Sequence, residues 1–459
     1  DRGPGGKVLA GSLNYDGVVS VRANSLGADT VLEQIARMVQ QAQSSRAPME
    51  RLADRASAIF VPVVLGLSAT TFIVWIFATH SLQLALASTV AVLVIACPCA
   101  MGLAVPAALT VAVGRGAQLG ILFKGGDALE RATGLDVVVM DKTGTLTVGR
   151  PVLAAIRPMP GYDEIDMLSL AAAVEEKSNH PLAYAIVERA KARKIDWPPA
   201  TDVQVIPGRG VNARVEGLDV VLGNEALFTE WHIQLPDTTP PARLGVTRLW
   251  MAVDTQPTCY FETRDMLRPN ATEAVSALVA QGMRVMMLTG DSVTAATPIA
   301  GQAGIGEVEA GLKPEEKLAR IRELQQSGLR VAMIGDGIND AAALAQADVG
   351  IAMGSGTDLA QEAGDLILLR PEPGSIPASL DLAKATIRVM RENLAWAAGY
   401  NLLGIPLAAG VFYPAFHVLL SPWVAAAAMA LSSVSVLSNS LRLRKWTPPA
   451  LESSPSALN

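Results

Sequence analysis

Two long stretches of the chain contain no Asp, Glu, Lys or Arg. The first runs for 59 residues between Arg55 and Arg115, the second for 49 residues from Asn393 to Leu441. A helix crossing a bilayer needs about 20 apolar residues, so each stretch has room for two helices and a turn. The pattern predicts spans at 57–78 and 84–108 with a turn near Thr79-His80-Ser81. It predicts two more at 394–412 and 416–438, dividing near Tyr413-Pro414. Arg51, Arg55, Arg115, Lys124, Arg388, Arg391, Arg442, Arg444 and Lys445 all lie outside these hairpins, whose tips carry only His80 and His417. Basic flanks mark the cytoplasmic side, which puts both termini and the block 116–391 in the cytoplasm.

Residues 116–391 follow a different pattern. Short apolar runs end in polar residues: Asp136-Val-Val-Val-Met140 before Asp141-Lys-Thr-Gly-Thr-Leu-Thr147, and Arg284-Val-Met-Met-Leu288 before Thr289-Gly290-Asp291. The run 329–334 precedes Gly335-Asp336-Gly337, and 349–353 is a further strand. Helical stretches at 271–282 and 314–327 separate them. Strands alternating with helices predict a parallel, doubly wound sheet, and polar residues at the strand ends predict a site there. About 110 residues, 150–262, interrupt this order with helices at 164–176 and 181–193 and strands at 202–206, 211–215 and 218–222. They are expected to form an inserted α+β domain. Residues 8–22 resemble the last strands of a domain whose start is missing, and the Pro/Ser-rich tail after Trp446 is expected to be disordered.

The composition agrees with a mixed membrane and soluble chain. Of 459 residues, 50% are apolar and 17% charged, against about 25% charged in a typical soluble domain. Mean hydropathy is +0.33. The net charge of −6 gives no indication of a nucleic-acid partner. Three cysteines cannot build a disulfide framework, and two of them form Cys97-Pro98-Cys99, which reads as metal or thiol chemistry. The chain opens at Asp1 with neither a methionine nor a signal-peptide pattern, and reads as the downstream part of something longer.

Asp141 ends an apolar strand and is followed by glycine and hydroxyl residues. A carboxylate so placed can attack a phosphoryl group and form an aspartyl phosphate. Lys142 and Lys317 could neutralise the phosphate. Asp336 and Asp340, four apart, could present two carboxylates to Mg²⁺. Taken singly, a strand-end aspartate is more often a cap or turn residue; their order after successive strands argues for chemistry.

Asp141-Lys-Thr-Gly-Thr-Leu-Thr147, Thr289-Gly290-Asp291 and Gly335-Asp-Gly-Ile-Asn-Asp340 together resemble the P-type ATPases, which have a haloacid-dehalogenase-like fold. The resemblance covers residues 5–442. It implies that Asp141 is phosphorylated, that Thr143 helps hold Mg²⁺ through its backbone carbonyl, and that Asp336 is a Mg²⁺ ligand. It places Thr289, Gly290, Asp291, Lys317, Asn339 and Asp340 around the phosphate. Soluble phosphatases of the superfamily carry an acid/base aspartate two residues after the nucleophile. Here that position is Thr143, which implies a phosphoenzyme that persists.

Within the insert, Glu175, Ser178-Asn-His-Pro-Leu182 and Gly208-Arg-Gly210 resemble the nucleotide-binding domain of the heavy-metal subgroup. The resemblance implies ATP bound with His180 stacked on adenine, Glu175 at its edge, and Gly208 and Gly210 allowing close approach. Asn179 stands where that subgroup usually has glutamate. The other reading of His180 is a helix-start residue beside Pro181.

Proline between Cys97 and Cys99 should break an apolar helix and can turn both sulfurs inward, where soft thiolates select Cu⁺ or another thiophilic metal. The patterns Asn393, Tyr400-Asn401, Pro406 and Met429, Ser432-Ser433, Asn439 are similar to the Cu⁺ branch of the heavy-metal P-type ATPases. By that similarity Tyr400, Asn401, Met429 and Ser433 complete the transport sites with the cysteines. The Zn²⁺/Cd²⁺ branch would want an intramembrane lysine and aspartate, and the hairpin has neither. Met429 alone would read as packing, and Cys259 as a small core residue.

The expected organisation is a remnant of the actuator domain at 1–25 and a linker helix with the first hairpin at 26–115. The phosphorylation domain occupies 116–149 and 263–391 around a nucleotide-binding domain at 150–262. The second hairpin spans 392–445 and the tail 446–459. The family's further membrane helices and its Thr-Gly-Glu loop lie outside this sequence. The resemblance implies ATP-driven Cu⁺ export, ATP and Mg²⁺ as cofactors, the lipid bilayer and a cytosolic copper chaperone as partners, and the plasma (inner) membrane as location. A Zn²⁺/Cd²⁺ or broad soft-metal pump and a truncated, non-pumping metal-binding remnant are the competing readings.

Overall fold

The computed structural model describes residues 22, 40, 42, 47–149, 151–176, 178, 181–206, 209–236, 245–336, 340–354 and 362–448. The expected actuator remnant, most of the linker and the end of the tail lie outside these residues. The chain divides into two compact units: residues 1–135, 365–370 and 375–459 form one, and residues 136–364 and 371–374 the other.

In the first unit, helix α1 (Pro48–Thr79) starts on a proline in its first turn and stops at His80 in the left-handed region, φ 52°. Helix α2 (Leu82–Ile95) follows, its first turn capped by Ser81. Ala96–Pro98 interrupt the helix as the proline predicts, and α3 (Cys99–Gln118) continues past the expected end at 108. Strand β1 (Ile121–Phe123) and helix α4 (Gly126–Arg131) complete this part.

The second unit begins with β2 (Val137–Asp141), whose Val-Val-Val-Met run is wholly buried. The insert then supplies β3 (Val152–Pro158), α5 (Glu164–Glu175), α6 (Pro181–Ala192), β4 (Ala200–Ile206), β5 (Gly210–Val215), β6 (Leu218–Gly223), α7 (Glu225–Glu230), β7 (Thr247–Val253) and β8 (Gln256–Arg264). Its six strands form one antiparallel sheet in the order β3-β8-β7-β6-β5-β4. Leu168, Ala171 and Ile186 of α5 and α6 pack on one face, and Phe228 of α7 packs on Trp250 and Tyr260 of the other. The chain then returns as α8 (Ala271–Ala280), β9 (Arg284–Leu288), α9 (Val293–Ala303), β10 (Glu307–Glu309), α10 (Pro314–Gln326), β11 (Val331–Gly335), α11 (Ala341–Gln346) and β12 (Val349–Met353). Strands β12, β11, β2, β9 and β10 lie side by side, every pair parallel. Their near-continuous apolar runs are what a sheet covered on both faces requires. The expected α/β core with an inserted α+β region is therefore present.

The chain re-enters the first unit through β13 (Leu366–Leu368), antiparallel to β1. Helix α12 (Ser375–Ala409), the short α13 (Tyr413–Phe416) and α14 (Pro422–Leu441) follow, with a 3₁₀ turn at Arg442–Lys445. Helix α14 starts later than the expected 416, because Ser421 caps it and Pro422 is its first residue. Gly404 lets α12 approach α2 closely, since a Cβ there would lie 2.5 Å from Ile95 Cγ1. Trp75 of α1 donates to Ala409 O at 3.0 Å and meets Tyr413 edge-on at 5.0 Å. Among the described residues three helical stretches are long and apolar enough to cross a membrane: Pro48–Thr79, Leu82–Gln118 and Pro422–Lys445. The span expected at 394–412, in the uncharged second half of α12, is not among them, because Asn393, Tyr400 and Asn401 make this helix more polar.

Candidate functional site

Asp141 is the last residue of β2, at the end where the neighbouring parallel strands also finish. Pro314 begins α10 and Glu316 accepts from Lys313 N at 2.7 Å, fixing the helix start. Lys317 in its first turn then reaches the strand ends. Its Nζ donates to Asp141 Oδ1 at 2.5 Å and to Asp340 Oδ1 at 2.8 Å, all three side chains being buried. Asp336 follows β11. Asp141, Asp336 and Asp340 each offer a carboxylate oxygen, and these oxygens lie within 4.8 Å of one another.

Burial, then the negative charge of Asp340, pushes Asp141 up to about 7 despite Lys317. Burial and Asp340 likewise push Asp336 up to about 6. Lys317 loses from burial but gains more from Asp141 and Asp340, so it stays charged. The cluster thus holds more negative charge than its lysine offsets. A compact set of carboxylate oxygens with surplus charge fits a hard divalent cation such as Mg²⁺.

The turn after Asp141 is shaped by Gly144 at φ +74°. Any Cβ at 144 would overlap the Asp336 carboxylate. Thr143 Oγ1 lies 3.5 Å from Asp291 Oδ2, and buried Thr289 accepts from Asp291 N at 3.2 Å through its hydroxyl. These groups line a cleft of about 520 Å³ with Gly290, Asp336 and Asp340 on its walls.

Lys142 does not join Lys317. Successive side chains leaving a strand point apart, and Lys142 Nζ pairs with Asp291 and, at 3.3 Å, with Asp265. Burial lowers its pKa, but these two carboxylates outweigh burial and raise it. Of the two lysines expected to neutralise the phosphate, Lys317 contacts Asp141 directly, whereas Lys142 lines the same cleft through its pairs with Asp291 and Asp265.

In the insert, Glu175 ends α5 and is buried; desolvation pushes its carboxyl up to about 7 although Ser178 donates to it. Gly210 and Gly223 face each other across β5 and β6, and a Cβ on Gly210 would strike Leu222 O and, at 2.6 Å, Gly223 Cα. Asn224 N donates to Arg209 O at 2.9 Å, and its side chain caps α7. Asn179, His180, Gly208 and Asn339 lie outside the described residues.

Between the apolar helices, Cys97 packs in one cluster with Met429, Val92, Ile95 and Ala425. Cys97 and Cys99 are joined as a disulfide across Pro98, their Cα atoms 5.4 Å apart. Thiolate ligation would need this pair reduced. Asn401 is buried on α12, and Tyr400 and Ser433 are half-buried on α12 and α14. No contact joins these three to the cysteines among the described hydrogen bonds.

Comparison with known proteins bears on this arrangement. A family model for haloacid dehalogenase-like hydrolases matches residues 135–348. Copper-transporting ATPase 1 of Rhizobium meliloti (strain 1021) is 45% identical over 450 residues, 97% of this chain and 54% of that protein. The copper-exporting P-type ATPase of Staphylococcus aureus (strain MW2) is 45% identical over 95% of this chain and 54% of its own length. A solved zinc-transporting PIB-type ATPase in the E2.Pi state superposes with a TM-score of 0.69 at 35% identity, covering 92% of this chain and 68% of that one. The chain belongs to the heavy-metal (PIB-type) P-type ATPases. It spans about half the length of the curated relatives it matches.

Two residues of this heavy-metal P-type ATPase escape a reading of strand-end motifs. Asp265 pairs with Lys142 and accepts from Thr147 Oγ1 at 2.8 Å. Arg268 donates to Gly144 O at 2.7 Å, holding the turn that carries the nucleophile. The signal was available: Asp265 directly follows strand β8, as Asp141 ends strand β2. It was hidden because β8 also carries Glu262, Thr263 and Arg264, so the strand end looked like ordinary surface.

Proposed function

We propose that this chain carries the catalytic and membrane metal-binding parts of an ATP-driven Cu⁺ exporter working through an aspartyl phosphate. The observation that carries this reading is Lys317 clamping Asp141 beside Asp336 and Asp340 at the ends of parallel strands. An Asp141 carboxylate oxygen attacks the γ-phosphorus of ATP. The new O–P bond forms as the bond to the ADP oxygen breaks, and ADP leaves with the electron pair. Lys317 holds the carboxylate in place by a charge-assisted hydrogen bond, and Thr289 and Gly290 border the cleft that takes the phosphoryl group. Asp141, Asp336 and the Thr143 carbonyl are the groups that would hold Mg²⁺, which when bound supplies positive charge against the transferring phosphoryl oxygens. Lys142 acts one step removed by tying Asp291 and Asp265 to the nucleophile turn. Asp340 and Asn339 complete the phosphate surroundings.

Residue Thr143 cannot serve as an acid/base, so the acyl phosphate waits for a water positioned by another part of the protein. In the insert, residues 150–262, Glu175, His180, Gly208 and Gly210 take the adenine nucleotide. The buried Glu175 and the bare approach of β5 to β6 support this assignment.

Cys97, Cys99, Tyr400, Asn401, Met429 and Ser433 take Cu⁺ as the cargo. Thiolates and a thioether suit a soft monovalent ion, and the packing of Cys97 with Met429 supports the choice. Copper also stands in the names of the relatives at 45% identity. A cytosolic copper chaperone delivers the ion to the plasma (inner) membrane, with the catalytic unit in the cytoplasm. A zinc pump is the second reading, favoured by the superposition on a zinc-transporting structure. ATPase activity of the full-length protein in membranes separates them. Copper export predicts stimulation by Cu⁺ and none by Zn²⁺ or Cd²⁺; stimulation by Zn²⁺ alone overturns it.

A further inference from the structure

Asn393 sits on α12 as the first residue of the uncharged stretch, directly after Glu392, and has no exposed surface. Its side chain spends both amide hydrogens on two other helices. Nδ2 donates to Ala104 O of α3 at 2.9 Å and to Ser440 Oγ of α14 at 2.9 Å. Its Oδ1 accepts from Asn439 Nδ2 of α14 at 3.0 Å. One amide thus ties together α3, α12 and α14, and these are the helices that bear Cys99, Tyr400 and Asn401, and Met429 and Ser433. The tie extends outward: Asn439 also donates to Glu392 at 3.0 Å, and Arg442 donates to Asn439 Oδ1 at 2.8 Å.

Around Asn393 the packing is carried by small side chains. Ala100, Ala104, Ala397 and Val436 form the contact between the same helices. Small, smooth surfaces allow close approach but several sliding registers. A saturated buried amide allows one, because sliding by a residue leaves donors unpaired in an apolar setting; fixing register is the best-attested use of such a group. At 1.5 Å rise per residue, the tie lies roughly 7 Å along α3 from Cys99, 12 Å along α12 from Asn401 and 10 Å along α14 from Ser433. It is close enough to set their relative heights and too far to touch a metal at the cysteines.

We propose that Asn393 is a positioning residue that sets the axial register of the three ligand-bearing helices, and through it the soft-metal affinity of the membrane site. The proposal rests on the reading of Cys97, Cys99 and Met429 as that site. Metal sites tolerate little displacement of their ligands, and losing a group that orients a ligand directly costs about 10–100-fold in metal affinity, which sets the upper scale for a residue that acts through helix register.

The test uses the whole chain in lipid nanodiscs, with both cysteines reduced. Cu⁺ affinity is measured by competition with a chromophoric Cu⁺ chelator, and thermal unfolding is followed in parallel. Asn393→Leu should weaken Cu⁺ binding by about tenfold or more. Asn393→Asp, which keeps the acceptor and loses both donors, and Ser440→Ala, which loses one partner, should weaken it by smaller amounts. These two variants carry the test if Asn393→Leu does not fold. A lower unfolding temperature with Cu⁺ affinity within twofold of the parent overturns the proposal and leaves Asn393 a structural residue. Cys97→Ser is the control for the underlying reading: if it binds Cu⁺ as tightly as the parent, the site itself is misassigned. If it loses binding while the Asn393 variants keep theirs, only the positioning role fails.

Discussion

Gly144 lies so close to Asp336 that no side chain can stand between them: a Cβ on residue 144 would occupy the space of the Asp336 carboxylate. The turn after the nucleophile and the turn after β11 are therefore fitted to each other. Gly144→Ala adds two penalties, an overlap and a non-glycine residue at φ +74°, the latter worth about 1–3 kcal/mol. The chain should still fold, with Asp336 pushed aside. The expected result is a phosphorylation reaction needing about 10–100-fold more Mg²⁺, read from phosphoenzyme yield against Mg²⁺ concentration.

The two lysines should separate by function. Lys317→Ala leaves three close carboxylates without the cation that bridges two of them, and should cut the phosphorylation rate by about 10²–10³-fold. Lys142→Ala frees Asp291 and Asp265 but leaves Asp141 and Lys317 joined, so its loss should be smaller. Single-turnover phosphorylation of both variants measures the difference; equal losses would contradict the assignment.

The carboxylate cluster also predicts a pH dependence. Asp141 and Asp336 have folded-state values of about 7 and about 6, above the ordinary 3.8. The folded state therefore binds protons more readily than the unfolded one. Their contribution to stability is present at low pH and is lost as pH rises from about 4 towards 7. Mg²⁺ competes with these protons. Thermal unfolding of the chain should show Mg²⁺ stabilising it more at pH 7.5 than at pH 5.5; equal shifts at the two pH values would contradict it.

Much of this architecture is legible in the residues, for a physical reason. Hydropathy marks where water is excluded, so the two uncharged stretches and the buried strands 137–141 and 284–288 stand out. The same signal fails at helix ends. Helix α12 runs unbroken from Ser375 to Ala409 across the change from polar to apolar surroundings, because backbone hydrogen bonding does not stop where hydropathy changes. The cluster of Asp141, Asp336 and Asp340 was visible as strand-end carboxylates. Which way Lys142 points was not, nor was the role of Asp265 and Arg268, because pairing across 124 residues of chain, as between Arg268 and Gly144, leaves no local pattern. The tie made by Asn393 was equally hidden: an asparagine in an apolar helix suggests a partner without saying which helices supply it.

Nucleotide recognition can be tested apart from phosphorylation. His180→Ala should weaken ATP binding by about 0.5–1.5 kcal/mol, several-fold in affinity, through a lost aromatic stack. Glu175→Ala removes a buried carboxyl at the end of α5 and should also weaken ATP binding. Calorimetry measures both. Unchanged affinity in His180→Ala would make that histidine a helix-start residue only.

Asp141 is proposed as a nucleophile whose phosphorylated product persists. Residues 116–391 contain Asp141, Asp336, Lys317 and the insert, and Thr143 in them cannot activate a water. The decisive measurement is an acid gel of the 116–391 block after brief exposure to γ-³²P-labelled ATP and Mg²⁺, with Asp141→Asn beside it. A slowly accumulating, acid-stable, hydroxylamine-labile label with little multiple turnover is expected, absent from Asp141→Asn. Rapid steady-state phosphate release with no trapped label would contradict it and make this a phosphatase-like site.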